Sequence, residues 1–361
     1  MWTIDKKNIF FKKNKKILFS DTLDHWHNGL CRLLNIEENK ARDWIEYIYQ
    51  NKTKRSWSNL NYYEKYDHII HMTNKFFNVS NNNSKNFKNI SNIKILGHNF
   101  DKCFAVLKYN DKNFYIMGSK KINHGVLFDS QFKYVSAIKY EEEYFEGEIE
   151  KVGYGNYKKQ SKWRIEKSIN LLKMINKYSD IKDNAVLLDL GSGYGFFRYA
   201  AEKSGIKHYG LEISKYANKM CKKLYGFDNF EGEIWDFEPR HKFDVITCFD
   251  VIEHISNTDD FLKKVKSLLK KNGLFVIRTP NLNSFEYKCF KSLFYSLKVE
   301  HLNYFSPQSL SLSLSKNGFD TIHAQTTSHL FQGFHEFPLD VLKSNMEGSD
   351  IFLIGKLYEK G

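Results

Sequence analysis

"LLDLGSGYG", Leu187 to Gly195, sets three glycines at alternating positions behind an apolar run. The run belongs to "NAVLLDL" (184–190), which reads as a buried strand, and a helix is expected to open near Tyr194. A strand, a glycine turn and a helix start aim backbone N–H groups at one ligand. Around this unit, "KHYGLEI" (207–213), "NFEGEIW" (229–235), "FDVITCF" (243–249) and "GLFVIRT" (273–279) read as four more strands separated by amphipathic helical stretches. That alternation predicts an α/β fold with a doubly wound, mostly parallel sheet. "FDTIHAQTT" (319–327) and "SDIFLIGKL" (349–357) supply two late strands with no strong crossover helix between them, so an antiparallel pair is expected, for seven strands in all.

The loop has three competing ligands. A P-loop ends in G-K-[ST], and Phe196-Phe197-Arg198 is not that. A dinucleotide site asks for G-x-G-x-x-G, and the third glycine position here is Phe196. Glu212 ends the second strand 19 residues after Gly193. A carboxylate there accepts both ribose hydroxyls of an adenosine, whatever follows the ribose.

Working outward, the chain has 361 residues, enough for two modest cores. With 42% hydrophobic and 16% aromatic residues it is globular and not disordered. No apolar run is long enough for a membrane span, and the Lys-studded start lacks the form of a signal peptide. Five scattered cysteines form no C-x-x-C pair, so neither a zinc ribbon nor a disulfide framework is indicated. A reduced, cytoplasmic protein is expected. The net charge of +13 is uneven: residues 1–140 hold 24 Lys and Arg against 12 Asp and Glu, and the rest 31 against 30. The basic front predicts a positive field facing an anionic partner or substrate, or a solubilising surface.

Residues 20–80 read as helical in "DTLDHWHNGLCRLLNI" (21–36) and "KARDWIEYIYQNK" (40–52). Residues 78–89 are loop-like, and 93–118 suggest a small β-meander. These make residues 1–135 a basic N-terminal α+β domain without a recognised motif. Residues 136–180 form a connecting lid and helix, in which Ile165, Ile169 and Leu172 share a face, and residues 181–361 form the α/β domain.

The ordered set of motifs carries a resemblance. "LLDLGSGYGFF" followed by "HYGLEIS" resembles the first motif and acidic strand end of class I S-adenosylmethionine-dependent methyltransferases. "FDVITCFDVIEHI" (243–255), "KKNGLFVIRTPN" (270–281) and "VEHLNYFSPQSLSLSLSKNGFD" (299–320) resemble the later motifs of a small-molecule branch that includes ubiquinone-pathway and sugar O-methyltransferases. The resemblance covers roughly residues 140–361 and implies S-adenosyl-L-methionine as cofactor. A cofactor without pyrophosphate needs close backbone approach but no third glycine, and its cationic sulfonium suits carboxylates and aromatic faces.

Residue by residue, the resemblance implies that Asp189, Gly191, Ser192, Gly193 and Gly195 hold the methionine moiety. Glu212 takes the ribose, Ile213 packs on the adenine, and Asp236 accepts from the adenine amino group unless it is a turn cap. Asp250 faces the methionine end and the substrate. Tyr144, Tyr154, Tyr157 and Gln160 lie where this branch places a lid over the cofactor.

Methyl transfer to a hydroxyl needs alignment and a base. His301 is the expected base, with His254, Asp250 and Glu253 beside it after strands four and five. "DVIEH" also resembles the E-x-x-E-H metal motif of relatives such as small-RNA 2′-O-methyltransferases, but Asp250 stands where that motif begins with Glu. A metal-free site is therefore expected. The expected acceptor is a small molecule or saccharide, anionic or nucleotide-linked ones included. An RNA 2′-O-methyltransferase gripping nucleic acid with the basic front, and a non-catalytic cofactor-binding module, are the alternatives.

Overall fold

A computed structural model describes residues 2–4, 9–11, 16–17, 37–50, 59–79, 94–129, 131, 133, 140, 142–146, 157–178, 184–328 and 339–358. The helix expected over 21–36 and most of the loop expected over 78–89 lie outside the described residues.

In the N-terminal part, helices α1 (Glu38–Gln50) and α2 (Tyr62–Phe76) precede the strands β1 (Lys102–Tyr109), β2 (Lys112–Ser119) and β3 (His124–Phe128). Helix α2 opens on a capping box: Asn61 accepts from the Glu64 N–H, and the Glu64 carboxylate accepts from the Asn61 N–H. Helix α3 (Ser161–Tyr178) leads into β4 (Val186–Leu190). Thereafter come α4 (Phe196–Lys203), β5 (Lys207–Glu212), α5 (Lys215–Tyr225), β6 (Phe230–Glu231), β7 (Phe243–Phe249), α6 (Thr258–Leu268) and β8 (Leu269–Pro280). The chain continues through α7 (Phe285–Phe290), β9 (Asn303–Tyr304), α8 (Pro307–Lys316), β10 (Phe319–Thr327) and β11 (Asp350–Leu357).

Seven strands form one sheet in the order β6-β5-β4-β7-β8-β11-β10. The first five pair in parallel, and β11 runs antiparallel to both β8 and β10. Strand β4 is buried along nearly its whole length, as a central parallel strand covered on both faces must be. From β4 the chain winds first toward β5 and then back past β4 to β7. The crevice at the carboxyl ends of β4 and β7 is thus the topological switch point, the place where open α/β sheets bind ligands.

The buried face of α3 is Ser168, Leu171, Leu172 and Ile175, whereas Ile169 is 38% exposed. The expected face is therefore rotated by about one position, because the sheet below wants the 168/171/172/175 stripe. Helix α4 starts at Phe196 with Gly195 as its N-cap, slightly later than expected.

A second sheet joins the front of the chain to the back. Its order is β9-β3-β2-β1, and β9 comes from the segment after β8. The Leu127 N–H donates to the Leu302 carbonyl at 3.0 Å. Around this seam one apolar cluster contains Trp44, Ile69, Phe104 and Leu127 together with Phe285, Phe290 and Phe294. Trp44 and Phe290 meet edge to face with ring centroids 5.3 Å apart. The Asn74 amide donates to the Lys288 and Cys289 carbonyls at the end of α7.

Candidate active site

The glycine loop crosses the mouth of the switch point. Gly191 has φ +65, and a Cβ there would stand 2.3 Å from Val251 Cγ2, so no side chain fits between the loop and the segment after β7. A Cβ on Gly193 would meet the Tyr157 hydroxyl at 3.2 Å. The Ser192 N–H is tied to the Leu211 carbonyl and the Gly193 N–H to Glu212 Oε2, at 3.1 and 2.7 Å.

Glu212 accepts a second backbone bond on Oε1, from the Ser214 N–H at 2.8 Å. Burial pushes its carboxyl up, and the backbone donors pull in the opposite direction. Asp189 accepts from Thr247 Oγ1 at 2.7 Å under the loop, and burial pushes it up to about 7. Gly191, Gly193, Glu212, Asp189 and Ile213 line one cavity of about 400 Å³, within the usual range for a small-molecule site. Ile213 is 46% exposed, an apolar shelf turned into that cavity.

Asp236 ends a short 3₁₀ turn (Ile234–Asp236) and is exposed, off the cavity wall; Glu233 and Trp235 line it instead. A 3₁₀ turn brings round every third residue, so a one-residue offset decides which side chain faces the ligand. Of the lid residues, Tyr144 and Tyr157 line the cavity. The Gln160 amide oxygen accepts from Arg164 at the start of α3, and Tyr154 lies outside the described residues. Arg164 also stacks over the Tyr157 ring, 3.9 Å from its centroid.

Beyond the loop, Asp250 follows β7 with φ +58 and is paired through both oxygens with Arg278 of β8. Burial opposes its charge, but the guanidinium outweighs it and holds the carboxyl well below the ordinary range. Asp250 is therefore committed to an ion pair as well as facing the cavity.

The next turn, Ile252–His254, carries Glu253 and His254. The Leu302 N–H donates to the Glu253 carbonyl at 2.7 Å, and Asn303 Nδ2 to the Ile255 carbonyl at 2.6 Å. These two bonds and the β9–β3 pairing bring His301 to His254, with ring centroids 4.9 Å apart and the planes nearly perpendicular. His254 Nδ1 sits 2.8 Å from the Glu300 carbonyl and His301 Nδ1 2.9 Å from the Ser296 carbonyl. A carbonyl only accepts, so both Nδ1 atoms carry the proton and both Nε2 atoms keep a lone pair in the neutral rings.

Glu253 Oε2 accepts from Thr279 Oγ1 at 2.9 Å, and its buried Oε1 has no partner among the described residues. Burial and the nearby Asp250 raise the Glu253 carboxyl well above its usual value. Burial lowers both imidazoles, that of His301 strongly. One ligand atom from each of Glu253, His254 and His301 lies within 4.8 Å of the others.

The structure thus brings the four expected residues together. Asp250 and His254 line the cavity, while His301, the expected base, and Glu253 stand behind them. Sequence reading also missed Arg164, Lys167, Arg278, Glu233 and Trp235 on the wall. The helical spacing of Arg164 and Lys167 was the available signal for that pair.

Residues 163–324 match the profile of a methyltransferase-domain family. The chain is 30% identical over 103 residues to a ubiquinone biosynthesis O-methyltransferase of Bradyrhizobium diazoefficiens, covering 27% of this chain and 40% of that one. It is 29% identical over 150 residues to an (S)-coclaurine N-methyltransferase of Papaver somniferum, covering 39% and 40%. The chain thus spans about two fifths of the length of these curated relatives. Among solved structures, a SAM-dependent methyltransferase from Archaeoglobus fulgidus aligns with 55% of this chain and 98% of its own, at 20% identity and a TM-score of 0.42.

Proposed function

We propose that this chain, whose residues 163–324 are a class I S-adenosylmethionine-dependent methyltransferase domain, moves the methyl group of that cofactor to a hydroxyl of a small molecule or saccharide. The observation that carries the acceptor chemistry is the Glu253–His254–His301 group, of which His254 lines the cavity, with two Nε2 lone pairs. An amine acceptor, already nucleophilic when neutral, would not need it.

The residues divide the work by position. Glu212 presents carboxylate oxygens to the ribose while it holds the loop. Gly191 and Gly193 leave room for the amino-acid tail, and Ile213 and Trp235 border the adenine end. When bound, the cofactor would supply a sulfonium methyl whose carbon the acceptor oxygen attacks from the side opposite sulfur, with S-adenosylhomocysteine leaving as the C–S bond breaks. Tyr144 and Tyr157, which line the cavity, would exclude water, so alignment and desolvation supply most of the rate. The acceptor proton leaves to His254, the one imidazole of the pair on the cavity wall.

A second reading has specific support. Each ring donates its Nδ1–H to a backbone carbonyl and Glu253 is anchored by Thr279, the outer-shell pattern of metal ligands. Two imidazoles and a carboxylate, with further positions left open, suit a divalent cation. An ion held there would lower the pKa of the acceptor hydroxyl. Asp250, bound to Arg278, would not join the set.

The test is transfer of labelled methyl to a metabolite extract, before and after EDTA, with mass spectrometry for products heavier by one methylene. Transfer lost in EDTA and restored by Mg²⁺, Mn²⁺ or Zn²⁺ supports the metal reading. Transfer unaffected by EDTA but lost in His254→Ala supports the base reading. Absence of any methylated product, with no binding of S-adenosylhomocysteine, overturns both.

A further inference from the structure

One face of α3, formed by Arg164, Lys167, Ser168 and Leu171 at three- and four-residue spacing, lines the same cavity as the glycine loop. Arg278 of β8 lines the same end. Arg278, Asp350, Asp250 and Arg164 all act electrostatically on Lys167. Asp250 is bound by Arg278, and among the described residues no ion pair joins Lys167 to either carboxylate. Among the described residues the Lys167 ammonium makes only a cation–π contact, 5.1 Å from the Trp163 ring. Burial and the Arg278 guanidinium lower it to about 8, so it remains mostly charged at neutral pH.

The other carboxylates on the cavity wall, Asp189, Glu212 and Glu233, form no ion pair with Lys167 among the described residues. The cofactor adds no net negative charge, since its amino-acid tail is a zwitterion and its sulfonium is positive. A partly buried cation in a low-dielectric cavity costs free energy unless an anion meets it.

We propose that Lys167, with Arg278 beside it, holds an anionic group of the acceptor, a carboxylate or a phosphate, while the acceptor's hydroxyl faces His254. This rests on the methyltransferase reading above and adds the substrate class. An acceptor of this kind binds by its anion and by its hydroxyl, which fixes its orientation toward the methyl group.

The test is a thermal-melt titration of the full chain at constant ionic strength, with and without saturating S-adenosylhomocysteine. Acetate is the carboxylate probe and inorganic phosphate the phosphate probe. Wild type should be stabilised by at least one of them, and the stronger response identifies the acid. Lys167→Met should weaken that anion by about tenfold or more, the loss expected for one charge-assisted contact. Lys167→Arg should keep the response, and the exposed-site control Lys207→Met should behave as wild type. Calorimetry with S-adenosylhomocysteine and with methylthioadenosine, which lacks the amino-acid tail, separates the two sources of a carboxylate. Unchanged affinity for both in Lys167→Met supports the acceptor. A selective loss of S-adenosylhomocysteine affinity means that Lys167 holds the cofactor's own carboxylate and overturns the proposal. An anion response identical in wild type and Lys167→Met also overturns it. If wild type binds neither adenosyl compound, the methyltransferase reading fails, whereas the anion titration in their absence still reports on Lys167.

Discussion

Glu212→Gln separates the two tasks placed on one carboxylate. Glu212 accepts the Gly193 N–H at 2.7 Å and the Ser214 N–H at 2.8 Å. A hydrogen bond to an ionised acceptor contributes about 1.5–3 kcal/mol. Glutamine keeps one acceptor oxygen but turns an NH₂ donor toward the other N–H, which is then left buried and unpaired. The loss should be about 2–4 kcal/mol, or a fall of roughly 4–16 °C in Tm by the scaling for domains of 150–250 residues. The ribose hydroxyls lose a charged acceptor at the same time, so affinity for S-adenosylhomocysteine should fall by about 10- to 100-fold. Differential scanning calorimetry without ligand reads the first effect, and isothermal titration reads the second. A ligand-free Tm within a degree of wild type would refute the claim that Glu212 braces the loop. Normal S-adenosylhomocysteine affinity would refute its role at the ribose.

Gly191→Ala should abolish cofactor binding while leaving the chain folded, because its Cβ would overlap Val251 Cγ2 at 2.3 Å and a residue at φ +65 is strained; wild-type calorimetry for that variant would show the loop has room to move. Burial lowers His124 from 6.5 to about 4. The unfolded chain then takes up this proton first as pH falls. The contribution is present above about pH 6.5 and is lost progressively toward pH 4, a change of about 3 kcal/mol that His124→Gln should remove from urea melts. Phe290→Ala, at a fully buried ring packed on Trp44, should cost about 3–5 kcal/mol, and a destabilisation under 1 kcal/mol would mean the seam between the front and back of the chain is not closely packed. A 136–361 fragment should bind a hydrophobic dye and aggregate, because it exposes Phe285, Phe290 and Phe294 and leaves β9 without β3; a monodisperse, cooperatively melting fragment would contradict this.

The seven strands, their order of appearance and the antiparallel end of the sheet were all legible in the sequence, as was the position of the glycine loop at its centre. These features are local. A parallel strand buried on both faces writes itself as a continuous apolar run, and a loop that crosses a neighbouring segment must be glycine wherever a Cβ would collide, as at Gly191 beside Val251. Glu212 was legible too, since its distance along the chain from the loop follows from one helix and one strand.

What surrounds the reacting end of the cavity was decided by tertiary structure alone. His301 meets His254 because β9 pairs with β3 and because the Leu302 N–H reaches the Glu253 carbonyl, contacts between segments with no shared periodicity. The same packing withdraws His301 from the cavity wall, and no property of the "VEHLNYF" stretch announces that. Asp250 reads as a free carboxylate until Arg278, on a different strand, is seen to claim both its oxygens. Asp236 and Trp235 trade places at the wall through a single 3₁₀ turn. Lys167 is one lysine among many in a basic chain, and only the fold turns it into a cavity where, among the described residues, it forms no ion pair. Sequence records what each segment prefers by itself. Which side chains share a desolvated volume, and so which charges are balanced, depends on distances that exist only after the segments have packed.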